Sequence, residues 1–273
     1  MDRRALGRTR RVNGLELELT PTLLALTALA GFAAGLLDSI VGGGGLILTP
    51  AMLNLHPGLS ILQTIGTQRT SSLLGTSVAA FNYLRRVPVE RRIVLPACAA
   101  ALGASAIGVQ FAKRLDPDIL KWAVLAICVL LALYTAFRPA FGLEERRRFP
   151  VDREAAMAAA VGGACGFYNG LIGPGTGTLM VFAFASVIGL DFLKSSGVSK
   201  AANVAADLSS WTVLALGGFV VWVLALPLIA GNMLGSWIGS HLALRKGQRF
   251  VRYVFLGVVL ALIAKLAWDL ARG

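Results

Sequence analysis

The chain has 273 residues, 56% of them hydrophobic and 15% charged, with a formal net charge of +12 and a mean hydropathy of +0.71. That apolar share exceeds the roughly 45–50% of ordinary soluble domains, which excludes a soluble globular protein and indicates an integral membrane protein. The basic excess does not point to nucleic acid either. The arginines sit in short tracts between apolar segments, where loop orientation in a bilayer accounts for them.

In chain order, a basic leader at residues 1–18 precedes a series of apolar segments, each about 20 residues long, the length that crosses a bilayer. Eight read as spans: 19–37, 64–84, 93–112, 119–137, 155–172, 197–216, 219–243 and 251–270. Ala28-Leu29-Ala30 has the form of a signal-cleavage site, but residues 20–37 have an internal counterpart at 155–172, so the first segment is expected to belong to the fold. Two shorter apolar pieces, 46–55 and 178–190, follow glycine clusters and read as half-helices or re-entrant elements. The expected fold class is all-α and polytopic: a first repeat over 19–138, a charged linker over 139–153 and a second repeat over 154–273.

The repeat rests on a glycine pattern. Gly31-x3-Gly35-x6-Gly42-Gly43-Gly44-Gly45 recurs as Gly166-x3-Gly170-x2-Gly173-Pro174-Gly175-Thr176-Gly177, so that Gly31, Gly35 and Gly42 reappear 135 positions on. Further along, the halves align at an offset of 131, pairing Gly66 with Gly197, Arg69 with Lys200, Pro96 with Pro227 and Gly108 with Gly239. Interrupted helices at matching places in two halves point to a transporter's binding site. Glycine permits positive φ, and the unpaired N–H groups at the start of a following half-helix can receive an anion; close helix packing is the alternative use of the same residues.

The third segment of each half carries a polar face. Lys200, Asn203 and Asp207 share one side of a helix, as do Arg69, Ser72 and Thr76 at the aligned positions. Ionisable groups within spans face an interior or a water-filled path, although Arg69 and Lys200 lie near segment ends and are also placed to snorkel. Asp207 sits near mid-segment, two turns from Lys200, so its partner is expected from the other half. Asp38 reads equally as a polar residue at a helix break or as a coupling group. The candidate substrate site is therefore Gly42, Gly43, Gly44, Gly45, Gln68, Arg69, Asn169, Gly173, Gly175, Thr176, Gly177, Ser199, Lys200 and Asn203, with Asp38 and Asp207 as candidate coupling groups.

Cys98, Cys128 and Cys165 lie in apolar segments without metal-ligand spacing, and His56 and His241 stand alone. No cofactor, metal or enzymatic motif is expected. Counting Lys and Arg under eight spans puts the leader (five), residues 85–92 (four) and residues 138–153 (five) on one face, against 113–121 (three) and 245–252 (four) on the other. Both termini are then expected on the cytoplasmic side. Whether the halves are parallel or inverted stays open, because the basic loop 85–92 aligns with the uncharged 216–223.

Residues 32–50, with Gly35-Leu36-Leu37-Asp38-Ser39-Ile40-Val41-Gly42-Gly43-Gly44-Gly45, resemble the first motif of the TauE/SafE sulfite exporter family, in its YfcA-like branch. Residues 166–177, 200–209 and 239–248 are similar to its later motifs, and the resemblance covers nearly all of the chain from about residue 24. It implies a bacterial inner-membrane permease of about eight spans that moves sulfite, organosulfonates or related small organic anions, usually as export. Two positions depart from the pattern: Gln68-Arg69 stands where Asn-Lys is common, and Asp207 where Asn is common. The expected partners are a small anionic substrate and the lipid bilayer, not nucleic acid, with homo-oligomerisation open. An anion channel and a non-transporting membrane scaffold are the alternative functions.

Overall fold

The computed structural model describes residues 8–12, 15–112, 142–171, 173 and 175–272. The expected span at 119–137, the basic cluster at 113–121, Cys128 and Pro174 lie outside the described residues. Apart from one short hairpin, β1 (Arg8–Val12) against β2 (Leu15–Leu19) within the leader, the described chain is helical.

Helix α1 (Pro21–Val41) opens on Thr20, whose hydroxyl accepts from the Leu23 N–H, with Pro21 in the first turn, where its missing donor is harmless. It stops at Gly42, which is left-handed at φ 91°, and α2 (Gly44–Leu55) follows almost at once. Helix α2 runs back along α1. Thr27 Oγ1 and His56 Nε2 meet at 2.8 Å, and Leu59 packs with Leu24, Val221 and Leu224. The pair is thus a hairpin that enters and leaves at one end of the bundle, here called the near end. The expected half-helix at 46–55 is re-entrant, and the expected first span is its inward arm.

Helix α3 (Ile61–Arg86) begins with a Ser60/Gln63 capping box and runs the full depth of the bundle; α4 (Arg91–Ala112) returns. A second hairpin enters from the far end: α5 (Val151–Leu171), then α6 (Thr176–Ala183) continued by a π-helical turn (Phe184–Ile188). Ile188 and Leu190 finish against Ile93, at the start of α4. Helix α7 (Phe192–Leu216) is capped by Asp191 and runs from the far end to the near end. Helix α8 (Trp222–Arg272) breaks at Gly247 (φ 79°, ψ −171°) and doubles back, since Val251, Phe255 and Val258 pack with Ile40 and Val41. By length and composition, α1, α4 and residues 222–258 are apolar enough to cross a membrane.

Small residues set the packing. A methyl group added to Gly31 or Gly35 would strike the backbone of Leu228 or Asn232 on α8, and one added to Gly162, Gly166 or Gly170 would strike Ala97, Ala101 or Ser105 on α4. The N-terminal arm of each hairpin therefore lies close and parallel to a helix of the other half of the chain. Helices α3 and α7 cross antiparallel at the centre. Gly42 and Gly173, 131 positions apart, are both left-handed (φ 91° and 87°), whereas Gly177, 135 positions from Gly42, is helical within α6. Gly31 and Gly162 make the same kind of contact, at the spacing of 131.

The expected distribution of charge between faces also changes. The leader joins α1 at the near end, but the loop 87–90 lies at the far end, because the α2 return adds a reversal that a simple count of spans omits. At the far end Arg147 bridges Glu90 and Glu154 at 2.7 and 2.9 Å, and Arg92 reaches Glu154 at 3.3 Å. The linker is not merely solvated. Arg146 N and Arg148 N donate to Gly189 O and Ile188 O, Phe192 N donates to Gly142 O, and α5 takes over at Val151.

Candidate functional site

The two hairpin tips abut inside the bundle, where Thr178 N donates to Gly42 O at 3.2 Å. Four residues before each left-handed glycine stands a polar side chain, Asp38 on α1 and Asn169 on α5, and each receives a cation from a central helix. Lys200 of α7 donates its Nζ to Asp38 O and, at 3.0 Å, to Asp38 Oδ2. Arg69 of α3 donates Nη2 to Asn169 O and Nη1 to Asn169 Oδ1, both at 2.5 Å. Each cation grips the backbone and the side chain of its hairpin residue together. Lys200 is 0% and Arg69 6% exposed, so neither snorkels.

Asp207 finds the partner expected from the other half. Its Oδ1 accepts from Arg69 Nη1 at 2.9 Å and from Asn169 Nδ2 at 3.0 Å, and its Oδ2 accepts from Ser72 at 3.1 Å. Asn169 Nδ2 also reaches Asn203 Oδ1 at 3.0 Å, and Thr76 donates to Asp38 Oδ2 at 3.1 Å. Two cations and two carboxylates are buried within this network, so in the ionised state it is formally neutral. Each cation is compensated by a carboxylate, Arg69 by Asp207 and Lys200 by Asp38.

Between the pairs lies a cavity of about 50 Å³. Of the expected site residues, Asp38, Gly42, Gly44, Gly45, Gln68, Arg69, Asn169, Gly173, Gly175, Thr176, Gly177, Asn203 and Asp207 line it. Three lie behind it: Lys200 holds Asp38, Ser199 donates to Gly177 O at 3.2 Å, and Gly43 backs onto Val258. Leu48, Ser72 and Asn232 also line the cavity and were absent from the candidate set. Asn232 had a signal in the sequence, a lone amide in the middle of the apolar stretch 219–243. The first-turn N–H groups of α2 and α6, at Gly44, Gly45 and Gly177, lack intrahelical acceptors and border this space.

The space is small and walled by both polar side chains and backbone. A larger cavity of about 430 Å³, mostly apolar, lies between α3, α5 and α7 with Leu62, Ile65, Leu171 and Phe219 in its wall. Arg69 borders both spaces. Among the described residues no group of three His, Cys, Asp or Glu side chains is placed to hold a metal ion.

A helical membrane bundle whose glycine-broken hairpins meet at a buried polar cavity has the architecture of a membrane transporter. The comparisons agree on the class and supply the family: the profile for sulfite exporter TauE/SafE matches residues 27–266, and the chain belongs to that family. It is 32% identical over 249 residues to a probable membrane transporter protein, ORF9, of a Sinorhizobium species, covering 90% of this chain and 93% of that one. It is 29% identical to the probable membrane transporter protein YfcA of Escherichia coli K12, covering 92% of each chain. A probable membrane transporter protein of Haemophilus influenzae is 29% identical over 90% of this chain and 95% of its own length. No solved structure matches the chain.

Proposed function

We propose that the chain is a permease of the bacterial inner membrane that exports small anions, sulfite, organosulfonates or related organic anions, with proton coupling. The observation that carries this reading is the pair of buried cations, Lys200 and Arg69, held against opposite hairpin tips across one polar cavity. An anion entering the cavity meets the N–H groups at the starts of α2 and α6, where the helix dipoles favour negative charge.

Neutrality supplies the coupling. With both carboxylates ionised, the network offers an anion no net attraction, and the anion must compete with Asp38 and Asp207 for their cations. Protonating one carboxylate releases one unit of positive charge toward the cavity, so anion and proton are taken up together. The small polar cavity and the larger space beyond Arg69 suit a cycle in which the hairpins rock to open either end.

The two halves are read as inverted copies offset by 131 residues throughout, the first hairpin entering from the near end and the second from the far end. Nine Lys and Arg lie at the far end (Arg85, Arg86, Arg91, Arg92, Arg146, Arg147, Arg148, Arg245, Lys246), whereas at the near end the leader carries five and the loops 56–60 and 217–221 none. The positive-inside rule then puts the far end in the cytoplasm and the start of α1 outside, reversing the expected orientation of the leader.

The test is counterflow of labelled sulfite, sulfoacetate, sulfate and carboxylates in liposomes containing the purified protein. Saturable exchange of at least one of these is expected, with Arg69→Lys and Lys200→Arg raising its half-saturation concentration about tenfold, the loss of one good polar contact. These variants keep the buried charge, whereas Lys200→Ala would strand Asp38. A folded protein that moves none of the anions, or variants with unaltered kinetics, would remove the site as drawn.

A further inference from the structure

We propose that Tyr83 and Ser196 form a proton relay joining the Asp38/Lys200 pair to the charged far end of the bundle; this rests on the permease reading above. Both residues are fully buried, their two hydroxyls face each other, and neither finds another hydrogen-bond partner among the described residues. A buried hydroxyl short of partners is costly to a fold, so two that meet only each other call for a reason. Packing does not require them, because phenylalanine and alanine would fill the same space without the cost.

Their position supplies the reason. Tyr83 lies two turns beyond Thr76 on the same face of α3, and Ser196 lies one turn before Lys200 on the same face of α7. The two helices run antiparallel, and the Tyr83 Cβ is next to Gly197. The hydroxyls therefore continue the line of Asp38, Thr76 and Lys200 toward the ends where α3 closes at Arg86 and α7 opens at Asp191. Just beyond lies the network of Lys194, Glu145, Arg147 and Glu154.

The line is one-sided. At the corresponding positions around Arg69, 131 residues away, stand Leu214 and Ile65, with Thr64 a single hydroxyl nearby. The chemistry of the two cations divides in the same way, since an ammonium can give up a proton and a guanidinium in a protein does not. Charged or titratable groups facing this seam come from α1 (Asp38), α3 (Arg69 and Tyr83 itself) and α7 (Lys200 and Asp207). Helices α6 and α8 meet Tyr83 through Val181, Ala185, Ala243 and Phe255, which carry no charge.

In the relay each hydroxyl accepts a proton on an oxygen lone pair while its own O–H bond breaks toward the next group, a bridging water closing any gap. A proton arriving from the far end thus emerges at Asp38, forming an O–H bond on the carboxylate, and both hydroxyls end unchanged. Asp38 then no longer compensates Lys200, and the cavity gains the positive charge that an anion requires. No oxidant or other reactant takes part.

The experiment compares two modes of sulfoacetate movement in liposomes, counterflow at equal pH and uptake driven by a pH gradient, for the wild type, Tyr83→Phe and Ser196→Ala. The relay predicts that each variant slows gradient-driven uptake about tenfold or more, in the range of a lost proton-transfer group, while counterflow changes less than about twofold. Equal losses in both modes, no loss in either, or a wild type indifferent to the gradient would overturn the relay and leave the permease standing. Absence of wild-type counterflow would overturn the permease reading and the relay with it. Should Tyr83→Phe fail to fold, Ser196→Ala decides alone.

Discussion

Lys200 holds Asp38 twice, by its backbone carbonyl and by its carboxylate, and it does so with its ammonium wholly out of solvent. Removing one partner of such a buried pair typically costs about 3–5 kcal/mol, because the other charge is left uncompensated. Asp38→Ala is therefore expected to destabilise the protein strongly in detergent, by about that amount. Asp38→Ala combined with Lys200→Met should recover most of the loss, since neither charge then remains. Thermal or denaturant unfolding of the three variants measures this, and a single variant as stable as the wild type would show that the pair does not hold the tip.

The meeting of the tips makes Gly42 unusually intolerant. Its φ of 91° suits glycine alone, and a Cβ would collide with the backbone of Gly177 and Thr178. Left-handed backbone costs an ordinary residue roughly 1–2 kcal/mol, and overpacking a tight contact adds about 1–3 kcal/mol. Gly42→Ala should lower the unfolding temperature by several degrees and impair anion exchange. Gly58→Ala, where nothing lies within 4 Å, serves as the control and should be silent in both measurements.

Much of this arrangement was legible in the sequence, for identifiable reasons. Segments of about 20 apolar residues find the helices, and a carboxylate in mid-span such as Asp207 demands a partner, which proved to be Arg69. The return of α2 was harder to read. A 12-residue apolar helix fits a half-span or a re-entrant arm equally well, and the choice decides which loops share a face. Asn169 and Asp38 looked like neighbours of a glycine cluster; that each serves as the socket for the opposite cation depends on how the hairpins cross, which no local pattern encodes. Glycines recur along α5 at every turn, at Gly162, Gly166 and Gly170, so glycine spacing alone fits more than one register of the halves.

At the far end the linker is tied down by Glu145. Burial works to raise its carboxyl, but hydrogen bonds and charge from Lys194 and Arg147 outweigh that and hold it below its ordinary value. A depressed carboxyl contributes stability that is present above its unfolded value, about 4.3, and is lost as pH falls through the folded value. Protection of the Arg146 and Arg148 amides, which donate to Gly189 and Ile188, should therefore fall below about pH 4 once intrinsic exchange rates are corrected. In Glu145→Gln that weaker protection should appear at neutral pH. Because Glu145 is partly exposed the effect should be a few-fold, and a variant matching the wild type at every pH would dissociate the ion pair from linker docking.

The proposed orientation follows from the hairpin and is open to a direct measurement. If α1 and α2 entered and left from the cytoplasm, the loop 56–60 would lie inside with the leader, and the basic loops 85–92 and 146–148 would lie outside, against the usual bias. The far-end assignment removes that conflict for the loops and leaves the leader's five arginines on the outer side. Gly58 and Glu144 are exposed and on opposite ends, so each can carry a reporter cysteine, with Cys98, Cys128 and Cys165 replaced by serine or alanine. Gly58→Cys is expected to react with a membrane-impermeant maleimide on intact cells, and Glu144→Cys only after the membrane is opened. The reverse labelling would restore a cytoplasmic leader, and it would require the Arg147, Glu90 and Glu154 network to close the outer rather than the inner end of the path.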